Sequence, residues 1–213
     1  MYITFLIGNG FDISMGMKSK YINFYPYFMN NGRNDNIIRK NIENNYENWA
    51  DLELSLGDLT NHIDESEYEQ FINDKIEMDK LLIDYLKHEQ EKIEFNEVDI
   101  TRKFKHAIDQ LTKGNNEKEN NMINDIFKIF SAQNYYYHAI NFNYTGIFDK
   151  YFEICKNLDC VNKHIHSNTE IKDFLGNIIH IHGSLIDNEV LLGLNDISQI
   201  NPNMINSSSM VKH

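Results

Sequence analysis

Long apolar runs are missing from this chain. No stretch approaches the roughly 20 residues that a bilayer-spanning helix needs, so no membrane partner is expected. Cysteine is nearly absent. Cys155 and Cys160, with four residues between them, make no disulfide framework and, lacking a second pair, no zinc site, so a cytoplasmic, reducing setting is expected. Positive charge is short as well: 20 Lys and Arg against 32 Asp and Glu leave a net charge of −12. Gripping a nucleic acid backbone takes clustered Lys and Arg, so nucleic acid is not an expected partner. The apolar start carries no basic leader and no small-residue cleavage site, and reads as a strand rather than a signal peptide.

What is present is enough to bury a core. The chain has 213 residues, 41% of them hydrophobic and 12% aromatic, which suggests one domain with an inserted subdomain. A strand over residues 2–7 runs into Gly8-Asn9-Gly10-Phe11-Asp12, with a helix beginning near Phe11 or Asp12. Two glycines after a buried strand keep side chains away from a helix N-terminus, where phosphates are favoured. The match to nucleotide fingerprints is partial. Ile13 stands where a third glycine belongs, and Phe11-Asp12 replaces the Lys-Ser/Thr of a Walker loop.

Residues 21–30 are aromatic and interrupted by Pro26, and Asn30 to Asn36 reads as a loop. From about 37 to 130 the pattern is helical. One stripe is expected from Ile72, Ile76, Ile83 and Leu86, a second from Phe104, Ile108 and Leu111, and a third from Ile123, Ile126, Phe127 and Phe130. Beyond Gln133 the period changes. Tyr136 to Phe142 is a strand ending in Asn143-Tyr144-Thr145, and a helix follows with Ile147, Phe148, Tyr151, Phe152, Cys155 and Leu158 inward. Val161 to His166, Ile178 to His182 and Val190 to Leu192 read as further strands, the last two ending in Gly183-Ser184 and Gly193. Strands alternating with helices predict a parallel α/β sheet, whose ligands sit at the carboxyl ends of its strands.

The segments Ile7 to Asp12, Phe142-Asn143-Tyr144-Thr145 and Ile181-His182-Gly183-Ser184-Leu185, followed by Leu192-Gly193, resemble the AbiH family of bacterial abortive-infection defence against phages. Trp49-Ala50-Asp51-Leu52-Glu53 resembles its internal Trp and Glu element. More remotely, the pattern resembles Sir2-like NAD-binding proteins. The fold implied is α/β, a Sir2-like Rossmannoid parallel sheet with a large helical insertion. A single AbiH-like domain over 1–213 would have 1–20 and 134–213 as nucleotide-binding core and 21–133 as insertion. AbiH proteins continue with a further strand, turn and helix that Asn206 to His213 does not resemble, so a C-terminally truncated member is expected.

The resemblance implies antiphage defence with NAD bound and hydrolysed at its N-glycosidic bond, or else a nucleotide-binding sensor without turnover. His182 would be the general base, and Asn143 would hold a ribose hydroxyl or a water. Gly8, Asn9, Gly10, Phe11, Asp12, Tyr144, Thr145, Gly183, Ser184 and Gly193 would line the nucleotide, with Glu53 behind them. The expected partner is a small nucleotide, together with a second copy of the chain or a phage-derived trigger. Plainer readings stay open: a structural histidine at 182, caps at Asn143 and Asp12, a surface charge at Glu53, a strand end at Gly193. The pairs His164/His166 and His180/His182 have chelating spacing in a strand, but without a Cys or carboxylate at ligand spacing no metal is expected.

Overall fold

The computed structural model describes residues 1–111, 113, 116–187, 189–190 and 200–204. Two compact units emerge, and the chain passes between them more than once. Residues 1–8, 94–142 and 146–181 form the first. The second takes 9–93, 143–145 and the described residues from 182 onward. Residues 94–133, which the sequence assigns to the insertion, group with the strands.

The first unit is built on a four-stranded sheet of order β1-β2-β4-β3. Its strands are β1 (Tyr2–Ile7), β2 (Tyr136–Asn141), β3 (Asn162–His166) and β4 (Thr169–His180). β1 pairs parallel to β2, and β2 parallel to β4. β3 departs from the all-parallel expectation: it pairs antiparallel to β4 through a hairpin. Ser167 and Asn168 make that reversal at φ 48° and 68°, the left-handed pair a tight hairpin requires. Three of this unit's helices are the six-to-eight run of the chain, α6 (Glu97–Asp109), α7 (Glu117–Ile129) and α8 (Ile147–Lys156). Phe104 of α6 meets Phe5 of β1, and Tyr151 and Phe152 of α8. Burying one such ring contributes about 2–3 kcal/mol. Five of the six predicted α8 stripe residues, Ile147, Phe148, Tyr151, Phe152 and Cys155, are buried, whereas Leu158 lies past the helix end and is half-buried. The α7 stripe is weaker than predicted, since Ile126 and Phe130 are exposed.

The second unit is helical: α1 (Asn9–Ser14), α2 (Tyr21–Asn31), α3 (Ile37–Asn44), α4 (Leu52–Thr60) and the long α5 (Tyr68–Glu91). It also holds a short antiparallel pair, β5 (Gly183–Ser184) and β6 (Glu189–Val190). Pro26 does not break α2. It removes the N–H that would reach the Ile22 carbonyl, and the Tyr46 hydroxyl donates there instead, at 3.3 Å. The core holds Phe24, Tyr25, Phe28, Ile38, Ile42, Trp49, Phe71 and Met78. The α5 stripe is rotated from the predicted one: Phe71, Met78, Leu82, Tyr85 and Leu86 are buried, whereas Ile76 is exposed. Asp74 and Lys75 share that buried face. Asp74 accepts from the Ile37 N–H at 2.8 Å and from Arg33 at 2.5 Å, which joins α5 to the start of α3.

These buried carboxylates set a pH dependence. Burial raises the pKa of Asp74, Asp79 and Asp173 above the ordinary 3.8. Each therefore binds its proton more tightly folded than unfolded. Their contribution is fully present below about 3.8 and is lost as pH rises through the raised values. A net charge of −12 acts in the same direction, because acid relieves self-repulsion. The thermal midpoint is expected to be higher at mildly acidic pH than at neutral pH. A scanning-calorimetry profile that is flat or rises toward neutrality contradicts this account.

Candidate functional site

The α1 helix starts at Asn9, directly after Gly8, rather than at Phe11 or Asp12 as the sequence suggests. Gly10 thus lies in its first turn. Neither Gly8 nor Gly10 has a left-handed φ, and among the described residues a Cβ on either would meet no atom of a neighbouring element within 4 Å. Neither backbone conformation nor packing among the described residues requires glycine there. Asn9 is exposed, but its side chain is engaged within the chain. Its side-chain oxygen accepts from the Ser19 hydroxyl and its amide donates to the Ser19 carbonyl at 3.3 Å, closing the loop after α1. Phe11 is half-buried.

Asp12 is neither a cap nor a surface group. It is 1% exposed, and its two oxygens are divided. Oδ1 accepts from the Asn143 amide at 3.1 Å, and Oδ2 from the Thr145 hydroxyl at 2.6 Å. Asn143 and Thr145 are themselves buried. One carboxylate thereby holds both neighbours of Tyr144. The Tyr144 carbonyl in turn accepts from the Leu185 N–H at 2.7 Å, which ties the segment His182-Gly183-Ser184-Leu185 to it. The His182 ring centre lies 6.2 Å from that of Tyr144, tilted by 38°. Gly183 has φ 75°, a conformation that a side chain resists. Ser184 is 1% exposed, and its hydroxyl accepts from the Ile186 N–H at 3.0 Å, so it serves the turn. Gly193 lies outside the described residues. Replacing Gly183 with alanine is expected to cost about 1–2 kcal/mol in urea unfolding through the left-handed φ alone. An unchanged midpoint contradicts this.

The electrostatics around Tyr144 have a sign. Burial, then Tyr21 and the charges of Glu53 and Asp79, hold its phenol well above the usual tyrosine pKa. Burial with Glu53, Asp51 and Asp79 does the same to Tyr21. Both phenols are therefore protonated donors at physiological pH. Glu53 is positioned by its own helix start. Trp49, 1% exposed, donates to Asn41 at 2.9 Å, Asp51 caps α4 through the Leu54 N–H at 3.1 Å, and Glu53 sits in the first turn. Asp79 is paired with Lys75 at 2.5 Å, and that lysine is 2% exposed at its side chain.

Asp12, Asn143, Tyr144, Thr145, His182 and Glu53 of the predicted set thus belong to one neighbourhood. Sequence reasoning missed Tyr21, Lys75 and Asp79. A usable signal existed for the lysine, because Lys75 falls on the helix face of Phe71, Met78 and Leu82, where a charge must find a partner. The other three histidines of the two pairs belong to the first unit: His180 contacts Asp149 at 2.9 Å, His164 contacts Asp173 at 3.1 Å and His166 contacts Ser131 at 2.9 Å. Among the described residues no group of three or more His, Cys, Asp or Glu is arranged to hold a metal ion. No helix among them is long and apolar enough to cross a membrane.

Fold and site together define an α/β protein, with a mostly parallel sheet and a polar neighbourhood centred on Tyr144 in its helical unit. The chain belongs to the bacteriophage abortive infection AbiH family, whose model matches residues 4–212. No curated protein matches it. No solved structure matches it either.

Proposed function

We propose that this AbiH protein serves phage defence by binding NAD as a substrate and hydrolysing its N-glycosidic bond. The observation that carries the reading is the neighbourhood of Tyr144. A histidine ring 6.2 Å from a protonated phenol, in the field of Glu53 and Asp79, joins a proton acceptor, a donor and negative charge. Glycosidic cleavage passes through an oxocarbenium-like state, and negative charge nearby stabilises it. Nicotinamide leaves with the bonding electron pair, the oxygen of water bonds to the ribose carbon, and the water proton goes to His182 and then to solvent. Asn143, fixed by Asp12, orients the water or a ribose hydroxyl. The space left open beside Gly10 by the described residues supports a ligand lying against that backbone.

The test is nicotinamide release from NAD by the purified chain, followed by chromatography. Turnover supports the proposal. Saturable NAD binding without product rejects hydrolysis in favour of a sensor, and the absence of both rejects the nucleotide.

A further inference from the structure

β1 is an edge strand. It pairs with β2 on one side, and no strand among the described residues pairs with the other. The Met1 and Ile7 carbonyls accept from the Tyr136 and Phe142 N–H groups, each at 2.9 Å. Backbone groups alternate in direction along a strand, so odd-numbered residues of β1 face β2. The N–H and C=O groups of Tyr2, Thr4 and Leu6 then face the free edge.

Protected edges carry Lys, Pro, bulges or a covering element. β1 reads Tyr-Ile-Thr-Phe-Leu-Ile and has no charge and no proline, and its pairing with β2 runs without a bulge. Its outer residues are open, with Tyr2 77% and Leu6 70% exposed. The same sheet face continues with Tyr136, 38% exposed, and Ile179, 62% exposed. Such a surface is unusual for a chain carrying a net charge of −12. Two copies repel each other over most of their surfaces, and an uncharged edge is a place where they meet without that cost.

The geometry points to a second copy of this chain as the partner of this edge, with β1 and its counterpart antiparallel about a two-fold axis. The edge is self-complementary. Thr4 faces the partner's Thr4, and Tyr2 faces the partner's Leu6, so that the outward N–H and C=O groups of both strands are satisfied. Each Tyr2 ring then packs on a leucine across the strand pair, a favourable cross-strand contact. The two four-stranded sheets become one continuous sheet, and the closed symmetry prevents further growth along that edge.

The test uses the full chain. Sedimentation at micromolar concentration is expected to give a dimer. Thr4→Pro removes only an outward N–H, leaves the β2 ladder intact, and takes away both reciprocal bonds at the axis. It is expected to weaken dimerisation about 30-fold or more with the far-ultraviolet spectrum unchanged. The register is checked by oxidation. Thr4→Cys brings two thiols onto Cα atoms about 5.5 Å apart, within disulfide reach, whereas Tyr2→Cys separates them by about 13 Å. Rapid covalent dimer from Thr4→Cys and none from Tyr2→Cys supports the pairing. A monomeric wild type, a dimer indifferent to Thr4→Pro, or equal cross-linking of the two variants overturns it.

Discussion

Asp12→Ala is expected to destabilise the chain by about 3 kcal/mol or more, and to release the segment that carries Tyr144. The carboxylate is 1% exposed and accepts from both Asn143 and Thr145, which are themselves buried. Removing it leaves a buried amide and a buried hydroxyl without their acceptor, and each costs roughly 1–3 kcal/mol. Asp12→Asn keeps one acceptor and turns its NH2 against the other donor, so its loss should be intermediate. Urea unfolding of the wild type and both variants gives the order directly. If alanine costs under about 1 kcal/mol, the clamp is not what holds residues 143–145.

A second large effect is expected at His182. Under the glycohydrolase proposal, His182→Ala lowers kcat about 10²- to 10⁴-fold, the range of a lost general base, while KM moves little. His182 is half-buried, so stability should shift by less than about 1 kcal/mol. Glu53→Gln provides the electrostatic comparison. It removes a charge that acts on Tyr144 and Tyr21 without removing their hydrogen-bonding capacity. A fall of about tenfold in kcat is expected. If the wild type turns over NAD and His182→Ala matches it, the base is another group. If Glu53→Gln matches the wild type, the field around Tyr144 is incidental to the chemistry.

The elements with strong periodicity were legible in the sequence. β1, β2 and α8 lie where alternation or an apolar stripe puts them, because burial of one face fixes the phase of a strand or helix. Phase was misread where charge entered the buried face. Ile76 is exposed because Asp74 and Lys75 occupy inward positions, held by Arg33, Ile37 and Asp79. The continuity of α2 through Pro26 was equally illegible, since it rests on a hydroxyl from Tyr46, twenty residues further along. The β3–β4 reversal had a signal in Ser167-Asn168, although an Asn-Gly pair would have been a stronger one.

By itself the sequence determined the family, the alternation of strands and helices, and the three polar segments at strand ends. These are local patterns, written in spacing and residue type. Only the tertiary structure decided what those segments do to one another. It gave Asp12 to Asn143 and Thr145, turned Asn9 toward Ser19, and surrounded Tyr144 with Tyr21, Glu53 and Asp79. The physical reason is the burial of polar groups. A carboxylate removed from water takes whatever donors the fold brings within reach, and separations of 131 and 133 residues leave no trace in local sequence.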